Sequence, residues 1–342
     1  MKTKIEENTK FKPIKSLGVA KAFFIVPFRW ISFKSLCGYL YTVVTRFFWL
    51  QFSVKLGFRK IPVLSVDNAL DKKVPFSPLK VPVYLDFIHF WIRPMTFLLN
   101  KYGAKKSIPY CARFLSLIDQ SYFQASRVYS FRMSTTDRPM GKVDKSVQKY
   151  FNTIRTVDPH YLCVPSLHIA IVVLAYTFFR KTFEELGMDK EEQDFYNAEL
   201  YRGALDIGET VLYVKQHSVN CIPAALFMMT NLIPEYFTVE DAKIFIDDLF
   251  KDAEDIQEQD KIDIHNHIKN MYENLLQQKG DDDWTEPVKN WLLSYTPSWS
   301  INSLPSPSWE RTFKFQPWEF TIVFTIERPK PFPSSRREFV PL

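Results

Sequence analysis

The chain is 342 residues long, 46% hydrophobic and 16% aromatic, with only 9 glycines and 4 cysteines. No two glycines form a G-x-G pair, which excludes the clustered glycine loops of dinucleotide and kinase sites. The cysteines lack C-x-x-C spacing and indicate neither a zinc finger nor a disulfide scaffold, while a net charge of +6 conceals a strong asymmetry.

The chain opens with a basic head. Residues 1–60 carry twelve Lys/Arg against Glu6 and Glu7. The apolar stretch Phe23–Phe28 is short, broken by Pro27 and followed by no small-residue cleavage site, so it does not read as a secretory signal. Aromatics interleave with cations at Arg29-Trp30 and at Arg46-Phe47-Phe48-Trp49. That pairing suits a membrane interface, where rings sit at headgroup level and cations meet anionic lipid. A solvated basic helix face is the plainer alternative. No DNA- or RNA-binding signature accompanies the charge, so nucleic acid is not expected as a partner. Residues 1–84 are therefore expected to form a membrane-contact region on the cytoplasmic side.

Apolar segments of helical length follow. Residues 82–99 contain Asp86, His89 and Arg93, and 110–125 contain Arg113 and Asp119. The run 161–179 holds no formal charge and ends at Arg180-Lys181, which makes it the best candidate for a membrane span. Residues 218–233 are a shorter second candidate. Between them, 182–202 is charged and reads as a polar excursion. The spacing Gly203 to Gly208 mimics a P-loop, but Glu209 stands where the phosphate-binding lysine belongs.

Residues 235–286 hold sixteen Asp/Glu against five Lys. Apolar residues recur at helical spacing there: Ala242, Phe245, Leu249, Ala253 and Ile256, then Ile268, Tyr272 and Leu275. This predicts acidic amphipathic helices over 235–283. The order Asp263, His265, His267 does not suit a metal, because alternate helix positions do not share a face. Residues 284–342 hold nine of the 22 prolines and five tryptophans, and 320–326 reads as a short strand.

Two histidines stand at boundaries between polar and apolar sequence. One is in Pro165-Ser166-Leu167-His168, and the other is in Thr210-x4-Lys215-Gln216-His217. With Arg138-Pro139 upstream, these stretches resemble the type 2 phosphatidic acid phosphatase superfamily, in its sphingolipid and inositol-phosphorylceramide synthase-like branch. The resemblance covers roughly 85–232, which would be the helical core. It implies an all-α, membrane-associated helical bundle, with the acidic helices as a soluble insertion and 284–342 as an irregular extension. It further implies that His217 attacks phosphorus, that His168 protonates the leaving group, and that Lys215, Arg138 and Arg132 cradle the phosphate beside Ser166. No metal or other cofactor is expected. The partners would be a membrane and a phospholipid or lipid phosphate.

Two departures stand out. Phe131 occupies the lysine position of the first motif, with Arg132 next to it. Cys221 occupies the position of the aspartate that orients the nucleophile. A thiol holds an imidazole poorly, so Asp206 and Glu209 are the carboxylates nearest in sequence that could replace it. The expected function is a lipid phosphatase or phosphotransferase; the alternative is a catalytically degenerate protein of the same fold that binds lipid or a protein partner. Cys163 and Cys221 could form a redox pair, although buried cysteines more often act as small apolar groups.

Overall fold

The computed structural model describes residues 10–139, 141–280 and 283–296. The strand expected at 320–326 lies outside the described residues. Within them the protein is mostly helical, with one two-stranded parallel sheet.

Helices α1 (Ala20–Ile25), α2 (Trp30–Thr42) and α3 (Trp49–Lys55) come first, with a π-helical turn over Val43–Phe48 joining α2 to α3. Strand β1 (Val63–Ser65) pairs in parallel with β2 (Met133–Thr135). Between the strands run α4 (Val81–Leu85), α5 (Phe87–Lys101) and α6 (Gly103–Phe131). The charges predicted within 82–99 meet each other, because Arg93 makes a two-pronged pair with Asp86 at 2.6 and 2.7 Å. After α7 (Lys145–Val157) come α8 (Leu167–Glu185), α9 (Lys190–Tyr213) and α10 (Cys221–Leu232). The chain continues through α11 (Val239–Asp248), α12 (Glu258–Gln277) and α13 (Thr285–Ser294).

The uncharged run at 161–179 supplies most of α8, a helix not long and apolar enough to cross a bilayer. No helix among the described residues is long and apolar enough to do so. Helix α8 is instead the centre of the core. Ile169 through Ala175 are fully buried, enclosed by α5, α6, α9 and α10. Burial on every side removes the need for a polar face, so a buried core helix and a short span share one sequence pattern. Each large apolar side chain hidden there contributes about 1.5–3 kcal/mol. Helix α10, the second span candidate, is buried in the same way.

Two further expectations are refined. The polar excursion at 182–202 is helical, forming the end of α8 and the first half of α9. The irregular extension begins with a helix, as Trp284 Nε1 donates to Gln124 Oε1 at 3.1 Å and α13 packs on α6. The acidic pair forms, but α11 ends at Asp248, so Leu249, Ala253 and Ile256, expected at helical spacing, fall in the turn before α12. Its apolar positions Ala242, Phe245, Leu249, Ile268 and Tyr272 are fully buried, and α12 packs on α10.

Candidate functional site

Three short segments converge where the sheet meets the start of α8. Ser134 of β2 organises the first. Its carbonyl accepts from Cys163 N at 3.2 Å, and its hydroxyl accepts from Val164 N at 2.7 Å. This pins the chain just before Pro165-Ser166. Ser166 then caps α8, its Oγ accepting from Ile169 N, and places His168 in the first turn.

The segment carrying His217 is a tight loop between α9 and α10. Val211 O accepts from both Gln216 N and His217 N, at 2.9 and 3.2 Å. Lys215 adopts a left-handed φ of 55°. A 3-10 turn over Ala69–Lys72 braces the loop from outside. There Asp71 Oδ1 accepts from Val219 N at 2.8 Å, while Lys215 Nζ donates to the carbonyls of Asp71 and Val74. The two motifs touch directly through Ser166 N and Cys221 O at 3.3 Å.

The histidines meet. His217 Nε2 lies 3.4 Å from His168 Nδ1 and 3.4 Å from Ser166 Oγ. His168 is sandwiched by Tyr84 and Phe87, each with its ring centroid 4.6 Å away. A cavity of about 60 Å³ opens beside them, lined also by Phe47, Tyr122, Asp158, His160, Cys163 and Gln216. Burial pushes His168 down to about 4 and drives His217 well below the ordinary imidazole value, so both are neutral near pH 7. A neutral imidazole can act as a nucleophile or as a hydrogen-bond partner. A bound anion would favour protonation of His168.

The second half of the cavity was not legible as a site in the sequence. Asp158-Pro159-His160 sits just before the second motif and supplies two of its polar walls. Arg138 Nη2 pairs with Asp158 Oδ2 at 2.5 Å, and Asp158 Oδ1 accepts from His160 N at 2.9 Å. Burial alone would raise the Asp158 carboxyl, but the His160 hydrogen bonds and the Arg138 charge hold it well below the usual range. His160 Nε2 in turn faces Thr136 Oγ1 at 2.7 Å. A histidine flanked by an aspartate two residues away was the available signal. The aromatic walls carried none, because Phe47, Tyr84, Phe87 and Tyr122 come from three separate parts of the chain.

Arg138 is thus a buttress behind the Asp158 wall of the cavity. Arg138→Ala is expected to destabilise the fold by roughly 2 kcal/mol, less than the ~3–5 for a fully buried pair because the Asp158 side chain is 31% exposed. Urea unfolding measures this. The same variant should raise the His160 pKa, read by NMR titration, because the Arg138 charge now depresses it.

Three other expected positions lie elsewhere or act differently. Lys215 is turned to backbone carbonyls of the 3-10 brace, not to the cavity. Arg132 Nη1 donates to Leu292 O at 2.9 Å and joins the end of α6 to α13. Cys221 Sγ accepts from Ser218 N at 3.4 Å, and burial raises its thiol well above the ordinary value, so it is no thiolate. The substitute carboxylates are also engaged elsewhere: Asp206 pairs with Arg202, and Glu209 accepts from Phe250 N at 2.9 Å. As a result, His217 Nδ1 is buried without a hydrogen-bond partner among the described residues. His265 and His267 each meet an oxygen, of Leu249 and Asn220 respectively. No cluster of His, Cys, Asp or Glu suited to a metal occurs among the described residues.

A larger cleft of about 480 Å³ lies away from both histidines, beside Lys105, Lys106 and Arg113. Its Arg113 is engaged by Glu185 at 3.7 Å. No family model, curated protein or solved structure matches the chain.

Proposed function

We propose that the cavity binds the phosphoryl group of a lipid phosphate or phosphodiester, and that it has lost most of the catalytic power implied by the phosphatase resemblance. The orphaned Nδ1 of His217 carries this reading. A histidine nucleophile attacks through one nitrogen while the other keeps its proton on an acceptor. That acceptor fixes the tautomer and stabilises the cation that forms. Here no such acceptor is found among the described residues. Two of the expected phosphate cations, Lys215 and Arg132, are also committed to backbone carbonyls. For binding, two neutral imidazoles line one small space, with Ser166 Oγ 3.4 Å from His217 Nε2 and Arg138 held behind the Asp158 wall.

A second reading, an active metal-independent phosphatase or phosphotransferase, is favoured by one observation. His217 Nε2 and His168 Nδ1 face each other at 3.4 Å, and the Asp158 charge acts on both rings. In that reading His217 attacks, His168 protonates the leaving oxygen, and Asp158 supplies the compensating charge.

The test pairs binding with turnover in detergent. A phosphonate analogue of phosphatidic acid should bind the native chain and lose at least ~tenfold affinity in His168→Asn and His217→Asn. Phosphate release from phosphatidic acid and lipid pyrophosphates should stay near the level of those variants. A release rate that falls a hundredfold or more in His217→Asn would support the enzyme and reject the binder. Absence of analogue binding would reject both.

A further inference from the structure

The helical run from Trp30 to Lys55 is built inside out. Four of its five buried positions are polar: Ser32, Gln51 and Ser53 are 0% exposed and Thr42 is 7% exposed, with Leu50 the apolar fifth. Its outer surface and the adjoining α1 turn are aromatic, with Phe24 75%, Phe28 78%, Trp30 79% and Tyr41 70% exposed. A helix facing water shows the reverse pattern. The contact with α6 includes small polar residues beside the ring contacts of Tyr39 and Phe47 with Tyr122, and small residues are a feature of helix pairs surrounded by lipid. Ser116 Oγ donates to Ser35 Oγ at 2.9 Å, and the Gly38 backbone approaches Asp119 closely. Exposed apolar area of this extent on one continuous face marks an interaction surface.

Charge selects the occupant. Between Glu7 and Asp67 the chain has no acidic residue, while Arg29, Lys34, Arg46, Arg59 and Lys60 are all exposed. Exposed rings flanked by cations fit a bilayer boundary, where acyl chains take the rings and anionic headgroups take the charge. No described helix is long and apolar enough to cross a membrane, so the face lies along the surface.

We infer that the outer face of α1–α3 is a docking surface that lies in the headgroup–acyl boundary of an anionic lipid bilayer. The histidine cavity adjoins it, because Phe47 of the π-helical turn forms part of the cavity wall. The docking surface does not depend on the phosphoryl-binding reading.

Flotation of the full chain with vesicles tests it, using phosphatidylcholine alone or mixed with phosphatidylglycerol. The protein should float with the mixed vesicles, and raised salt should weaken the association. Partitioning should fall at least ~tenfold in Phe24→Ser/Phe28→Ser/Trp30→Ser, whose changes are all at exposed positions. The triple variant should still bind the phosphonate analogue of phosphatidic acid in non-vesicular detergent, which separates this surface from the cavity. Equal partitioning of native and triple variant, or indifference to anionic lipid, overturns the inference. A dimer that the triple variant abolishes, without vesicle binding, also overturns it and assigns the face to a second copy of the chain.

Discussion

Replacing Cys221 by aspartate should raise phosphate release by about 10²–10⁴-fold, the range set by removal of the orienting carboxylate in a histidine-dependent site. Burial at the position opposes a charge, but a backbone donor is already in place. Cys221 is the first residue of α10, and the Ser218 N–H already points at its sulfur. A carboxylate there gains the helix N-terminal dipole and a backbone donor. The resemblance identifies the same position as the one that orients the nucleophile. Cys221→Asn is the control, since it offers an oxygen acceptor but no charge, and it should leave the rate unchanged. Release of inorganic phosphate in detergent, with circular dichroism to verify folding, measures both. A folded Cys221→Asp protein without gain would mean that this position does not serve His217, and would return attention to Asp158.

A second large effect is expected in stability rather than activity. Burial pushes Glu209 up to about 7, against an ordinary value of 4.5, although Phe250 N and Arg202 oppose the rise. Below about 4.5 the group is protonated in folded and unfolded chains alike, and it imposes no penalty. As pH climbs toward 7, the unfolded chain releases the proton first, so folding loses free energy. Above 7 the full penalty applies. Glu209→Gln keeps an oxygen for Phe250 N and cannot ionise. It should match the native protein near pH 4 and exceed it at pH 8 by about 3 kcal/mol, at ~1.4 kcal/mol per pKa unit. Thermal melts across that interval test the sign. Asp71, raised to about 6 mainly by burial, acts in the same direction. Equal stability of native and Glu209→Gln at pH 8 would show that Arg202 already compensates the charge.

What could be read in advance follows from how local each signal is. The helices of the acidic stretch were legible because their apolar positions repeat within a few residues, and those positions are the buried ones. The charge-free run at 161–179 was legible as a helix but not as a core helix, since its enclosure by α5, α6, α9 and α10 depends on distant sequence. In the site, His168 and His217 carried a motif and do meet. Lys215 and Arg132 belonged to the same motifs, yet they are drawn away by Asp71, Val74 and Leu292, partners far along the chain. Asp158 and His160 enter for the opposite reason. Their local sequence says little, and the bridge between Ser134 and Leu162 brings them to the cavity. The basic, aromatic head was visible in composition. Only the structure shows that its polar side chains face inward and its rings outward.

Calorimetric titration of the chain with the phosphonate analogue of phosphatidic acid most directly tests the central claim that the two histidines form a phosphoryl-binding site. One site is expected, weakened at least ~tenfold by either His168→Asn or His217→Asn and untouched by the Phe24→Ser/Phe28→Ser/Trp30→Ser changes in non-vesicular detergent. Affinity that survives both histidine substitutions in folded protein would contradict the claim.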